Sequence, residues 1–318
     1  MRKLKKIDVL GIKKISKQDL SEEIRCEIDV LGGLDVFTDA HVQGVVKTTT
    51  GICEEMNLKY EDLKKCVLCA YLHDVGKIKV PSAILQKAGK LTDEEFEEMK
   101  RHTIYGYEIC MEYNNFRELA PIIRAHHESF DGSGYPDKLV GDQIPFEASI
   151  IKVADVYDAL TQRRQYKEGY KQTKALDIML GDARKGKMSA KIMVYLMRYL
   201  LKEVESRIIT HENNVLELKE NLEVLHELEK IYKSIYDRGY TAKSAKLLAR
   251  FDLPAGYDMS TNANLLIVKQ KALEREKGWL DFCKDEYKLM KKQDDEIKSI
   301  AKKEKFYKPE VYERWFNK

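Results

Sequence analysis

Five of the seven histidines in this 318-residue chain fall between residues 41 and 127, and one of them, His73, is followed directly by Asp74. The densest stretch is HHESFDGSGYP at 126–136, where two adjacent histidines and an acid run into a turn containing two glycines and a proline. A single histidine on a helix is ordinarily a core or surface residue. Five of them, joined by Asp74 and by Asp155 further along, read instead as a ligand set. Imidazole nitrogens mixed with carboxylates suit Fe, Mn, Ni, Co or Zn, whereas Ca and Mg favour oxygen donors alone. Ions held in this way can activate water and neutralise the oxygens of a phosphoryl group.

The order of the motifs makes this specific. HDVGK at 73–77, with His41 upstream and ADVYDAL at 154–160, resembles the HD superfamily of metal-dependent phosphohydrolases, whose ligand pattern H…HD…D falls on His41, His73, Asp74 and Asp155. HHESFDGSGYP is similar to the signature of the HD-GYP subfamily, and so are VPSAILQKAGKLTDEE, HTIYG at 102–106 and IPFEASIIKVADVYDALTQRRQYK, over roughly residues 17–205. The resemblance implies that His102, His126 and His127 recruit a second metal beside the first. Its expected cofactors are two divalent ions per chain, Fe or Mn, bridged by Asp74. It implies catalytic roles for Asp74 and Lys77, base stacking by Tyr135 and phosphate contacts from Arg164 and Lys167. The implied activity is that of a metal-dependent phosphodiesterase acting on a cyclic dinucleotide, cyclic di-GMP foremost, to give the linear dinucleotide and GMP. The alternatives are a weakly active nucleotide-sensing module and an HD phosphohydrolase for another nucleotide.

Departures from the family pattern are confined to positions outside the ligand set. Ser149-Ile150 stands for Arg-Ile, Arg164-Gln165-Tyr166 for Arg-Pro-Tyr, and KGKMSAKI for the FDP motif. Phe37 occupies the place of a glutamate that helps some members bind a third ion, so two ions are expected rather than three.

The residues also constrain local geometry. Neighbouring side chains on a helix point about 100° apart, so His126 and His127 can share one ion only if the helix ends there. Gly132, Gly134 and Pro136 supply that ending. Asp131 reads as a turn-former or as a partner for a ligating imidazole, and Tyr135 as a pocket wall or a core residue.

These side chains must be positioned by helices. Apolar residues recur mostly at helical spacing, and only 17 glycines and 6 prolines interrupt them. The expected fold is all-α, an HD-domain helical bundle with an additional α-helical C-terminal region. Residues 1–16 form an N-terminal extension, 17–205 the phosphohydrolase domain and 206–318 a helical C-terminal domain. Residues 92–113 predict one helix, opened by a capping box of Thr92 and Glu95. From Leu201 to Leu225 apolar residues and His211 alternate steps of three and four, which suits a coiled-coil arm, a homodimer contact, or two packed helices broken at Asn213-Asn214. Cys66 and Cys69 sit in an apolar helical pattern and are expected to be buried thiols. A net charge of +3 generates no field for nucleic acid, and no apolar run approaches membrane-spanning length, so a cytoplasmic protein without nucleic-acid or membrane partners is expected.

Overall fold

The computed structural model describes residues 36–162 and 169–304, with the backbone alone for residues 36–39. The expected N-terminal extension, Arg164 and Lys167 lie outside the described residues, as do the helices that apolar spacing predicts over about 17–34 and Pro309 predicts at its own position. So does the side chain of Phe37.

The fold is all-α. The described residues form helices α1 (Val36–Glu55), α2 (Tyr60–Leu72), α3 (Ser82–Leu85), α4 (Asp93–Lys100), α5 (His102–Glu112), α6 (Ala120–Ala125), α7 (Phe146–Thr161), α8 (Gln172–Arg184), α9 (Ala190–Arg238), α10 (Ala242–Leu248) and α11 (Met259–Ala301). Short 3₁₀ turns occupy Val75–Lys79 and Gly141–Gln143. Among the described residues the only β pairing is an isolated bridge between Asp131 and Val140.

These residues group into two compact units. One holds the described residues up to Tyr199 together with those from Lys292 onward, and the other holds Leu200–Lys291. The end of α11 therefore groups with the first unit, where a boundary at 205 would have assigned it to the second. Its contacts explain why. Gln293 donates to Thr173 O at 2.8 Å and to the Asp177 carboxylate at 2.7 Å, while Glu304 accepts from Ser189 Oγ at 2.7 Å and from Lys191 N at 3.0 Å. Ser189 itself accepts from Ile192 N, so Ser189 and Glu304 together cap the start of α9.

The core of the first unit is built on α2, α6 and α7. Leu68, Leu72, Ile122, Ile123, Ala148 and Ile151 pack there with little or no exposure. Cys66 and Cys69 are buried, and their thiols are pushed well up, by a hydrogen bond with Cys53 and burial for Cys66 and by burial for Cys69. They are core residues.

One sequence expectation about helices needs correction, and one open alternative is decided. The helix expected over 92–113 is broken at Arg101, which ends α4 and precedes α5. Side chains take over the last carbonyls of α4: His102 Nδ1 donates to Met99 O at 2.6 Å and Thr103 Oγ1 to Lys100 O at 3.0 Å. Such local bonds compete with the helical ladder, and the chain turns there. The capping box of Thr92 and Glu95 is present as expected. Conversely, α9 runs unbroken through Asn213-Asn214. Asn214 does not cap a helix; its amide donates to Glu276 at 3.2 Å, and the same carboxylate accepts from His211 Nδ1 at 2.8 Å. Within the second unit the heptad residues Leu222 and Leu225 pack with Leu266.

Candidate metal centre

All seven expected ligands lie in the first unit, and the fold brings them together. One group comprises His41, His73 and Asp155, the other Asp74, His102, His126 and His127, and within each group the ligand atoms lie within 4.8 Å of one another.

Three histidines are aimed by the same device. His73, His102 and His126 each use Nδ1 to donate to the carbonyl three residues earlier, Ala70 at 2.8 Å, Met99 at 2.6 Å and Ile123 at 2.6 Å. Donation at Nδ1 leaves the lone pair on Nε2, the nitrogen that faces the cluster. His73 and His126 directly follow the last residues of α2 and α6, and His102 opens α5, so all three sit where a helix end frees the ring to fold back. The end of α6 also settles the adjacency problem. His126 and His127 have ring centroids 4.0 Å apart, on one side of the chain.

His41 is aimed differently. Its Nδ1 lies 2.6 Å from Asp158, one helical turn beyond Asp155 on α7, and its Nε2 lies 3.2 Å from Asp155. A methyl group at Gly44 would fall 1.8 Å from the Asp158 carboxylate, so glycine at that position is what admits the carboxylate. Burial opposes a charge on His41, but hydrogen bonds with Asp155 and Asp158 outweigh it and raise its pKa to about 9. Burial holds His126 well below the ordinary range and brings His127 down to about 3. Both are therefore neutral donors at physiological pH.

Asp74 stands between the groups. Its Oδ2 lies 3.3 Å from His73 Nε2 and 3.8 Å from His41 Nε2, while its Oδ1 lies 3.4 Å from His102 Nε2. Burial alone would raise this carboxyl; the Lys77 ammonium, 2.5 Å from Oδ2, and the surrounding imidazoles hold it well below the usual range.

The donor set fits metal ions on two counts. The buried His73 Nε2 has no hydrogen-bond partner, a costly omission for a polar atom inside a protein. His102 Nε2 and His126 Nε2 lie 3.4 Å apart with both Nδ1 atoms already donating, so two lone pairs face each other. A cation at each group would resolve these features, one beside His73 Nε2 and one between His102 and His126.

Tyr135 forms one wall. Its ring centroid lies 4.8 Å from that of His127 at an interplanar angle of 33°. The loop that carries it is held by Glu128, a fully buried acid that accepts from Asp137 N at 2.6 Å and Leu139 N at 3.0 Å. Gly134 crosses the helix end so closely that a methyl group would lie 2.3 Å from Ser129 N. Asp131 is a turn-former, accepting from the backbone and hydroxyl of Ser133. Lys152 was not singled out by the sequence; it donates to His127 O at 3.2 Å and Ser129 Oγ at 2.9 Å, and burial lowers its pKa to about 8. Asp158 and Glu128 were missed too, although each had a signal. Asp158 follows Asp155 at i+3, and Glu128 directly follows the paired histidines.

Comparison with known proteins agrees with this geometry. The family model for the HD domain matches residues 25–192, and the chain belongs to that family. Within it, the motif set from HDVGK to HHESFDGSGYP marks the HD-GYP subfamily. The chain is 44% identical over 149 residues to the cyclic di-GMP phosphodiesterase response regulator RpfG of Xanthomonas campestris, a match covering 46% of this chain and 38% of that one. It is 42% identical to a cyclic di-GMP phosphodiesterase of Thermotoga maritima, over 42% of this chain and 37% of the relative. It is also 41% identical to a 3'3'-cGAMP-specific phosphodiesterase of Vibrio cholerae, over 41% and 26% respectively. The matched region spans well under half the length of each of these relatives.

No helix among the described residues is long and apolar enough to cross a membrane.

Proposed function

We propose that this chain is a metal-dependent phosphodiesterase that opens a cyclic dinucleotide, cyclic di-GMP foremost, to the linear dinucleotide and onward to GMP. The observation that carries the reading is Asp74, whose two carboxylate oxygens face the two histidine groups separately. His41, His73 and Asp155 would hold one ion and His102, His126 and His127 the other, with Asp74 shared. When bound, two divalent ions, Fe or Mn, supply a water that is nucleophilic at neutral pH and neutralise phosphate oxygens.

The chain's own residues do the rest. The carbonyls of Ala70, Met99 and Ile123, with the carboxylate of Asp158, lock four imidazoles before substrate arrives. Hydrolysis adds hydroxide to phosphorus and returns a proton to the departing ribose oxygen. The Lys77 ammonium, next to Asp74, is placed to deliver that proton or to stabilise the developing charge. Tyr135 offers a ring face to a base beside His127. Arg164 and Lys167 are proposed to grip the phosphate that is not cut. Relatives named for cyclic di-GMP and for 3'3'-cGAMP match at 44% and 41% identity, which supports the substrate class and leaves the preferred base pair to experiment. We further propose a cytoplasmic protein without nucleic-acid partners, with its C-terminal helices available for homodimer formation.

The test is full-length protein reconstituted with Mn or Fe and incubated separately with cyclic di-GMP, 3'3'-cGAMP, cyclic AMP and (p)ppGpp. Turnover of the cyclic dinucleotides supports the reading. Turnover of only the last two contradicts it, and binding of cyclic di-GMP without hydrolysis indicates a sensor.

A further inference from the structure

Helix α4 has no buried residue, and all but two of its residues are charged. Phe96 is the exception that needs a reason, since 47% of its surface is exposed. Isolated surface aromatics are common, so exposure alone decides nothing. Its neighbours do. The Lys100 ammonium lies 4.8 Å from the Phe96 ring centroid and 5.6 Å from that of Tyr135. Tyr135 in turn lies 4.8 Å from the His127 ring. An unbroken row thus leads outward from the candidate metal centre: imidazole, phenol, ammonium, phenyl. The row is anchored at its outer end, because the capping box of Thr92 and Glu95 and the 2.5 Å pair between Lys87 and Glu95 fix the start of α4.

We propose that Phe96 and Lys100 form an outer subsite beside the candidate metal centre, Phe96 stacking on the nucleobase farther from the cut phosphate and Lys100 pairing with substrate phosphate. The inference rests on the phosphodiesterase reading above. A cyclic dinucleotide carries two bases and two phosphates on one ring. With one phosphate at the metal groups, the other beside Arg164 and Lys167, and one base on Tyr135, one base remains to be recognised. Phe96 offers the further aromatic face, and Lys100 beside it adds a charge to those of Arg164 and Lys167. Lys100 now pairs with Glu97 at 2.5 Å, but that acid is mostly exposed, and such surface pairs are weak enough to yield to a phosphate. Stacking on an aromatic ring tolerates any base, so the subsite would favour dinucleotides over smaller diesters without choosing between guanine and adenine.

Steady-state kinetics on the full-length, Mn-loaded protein test this, using cyclic di-GMP and the small diester bis(p-nitrophenyl) phosphate. For Phe96→Ala, the ratio of kcat/KM for cyclic di-GMP to that for the small diester should fall about 5- to 150-fold, the range expected for one lost base stack. The fall should lie in KM, with metal content retained, and Phe96→Tyr should restore it. Lys100→Ala should raise KM for the dinucleotide and flatten its dependence on salt. A ratio within twofold of wild type for Phe96→Ala, or equal losses on both substrates, overturns the subsite and leaves the phosphodiesterase reading intact. Wild-type protein that cleaves the small diester yet neither binds nor turns over any cyclic dinucleotide contradicts that reading, and the subsite with it.

Discussion

Each of the seven expected ligands has a named neighbour that fixes it or a second ligand that faces it, and the effects of substitution follow from those neighbours. Asp158 orients His41 through a 2.6 Å contact without itself belonging to either ligand group. Its replacement by Ala should weaken metal affinity about 10- to 100-fold, as loss of a partner behind a ligating imidazole does, measured by competition with a chromogenic chelator. Unchanged affinity would show that His41 is held without it. Lys77 touches Asp74 and stands outside the histidine set. Lys77→Met should keep the metals and lower kcat about 10²- to 10³-fold, the usual penalty for losing one group that stabilises transition-state charge. Parallel loss of metal and activity would make Lys77 a structural partner of Asp74 instead.

At the scale of elements, much of the molecule was legible in the sequence because the signals were local. The capping box at Thr92, the periodic apolar residues of α2 and α7, and the glycine-rich turn after His127 each act through their own few neighbours. The break at Arg101 was not legible, since it depends on His102 turning back onto Met99 O, and periodicity does not show which rings do that. For α9 the heptad spacing left continuity and a break at Asn213-Asn214 both open; Glu276, far along the chain, gives Asn214 a partner other than a helix end, and the helix continues. Lys152 carried no signal, as nothing in the sequence tells a lysine facing His127 O from one facing water. Close backbone approaches likewise emerge only in three dimensions. A methyl group on Gly76 would lie 1.9 Å from His102 O and one on Gly134 2.5 Å from Glu128 Cα, so the glycines of HDVGK and GYP serve backbone-to-backbone contact. Gly134→Ala should therefore destabilise the protein by about 1–3 kcal/mol, as overpacking does, read as a lower urea midpoint at unchanged m. A variant as stable as wild type would mean that the loop can lift from the helix end without penalty.

For the molecule as a whole, the sequence located the histidines and aspartates that the fold gathers together and the all-helical class, but it did not show that the chain returns to its first unit. Gln293, Glu296 and Glu304 bond to Thr173, Asp177, Arg184, Ser189 and Lys191, positions more than a hundred residues earlier. No local pattern encodes such contacts. Glu304→Ala removes an acceptor from the start of α9 and should cost about 0.5–2 kcal/mol, the range for a lost helix cap, in equilibrium unfolding. A chain ended at 205 should unfold at lower denaturant than the full protein. If it proves equally stable, the last residues of α11 contribute nothing to the first unit.

The most direct measurement of the proposed two-ion centre is metal content by mass spectrometry, made on full-length protein purified without oxygen and on Asp74→Ala beside it. If Asp74 is shared by both groups as proposed, the wild type should hold about two divalent ions per chain, Fe or Mn, with both lost along with activity in the variant. One ion per chain in the wild type, or a variant that still holds two, would contradict the shared role of Asp74.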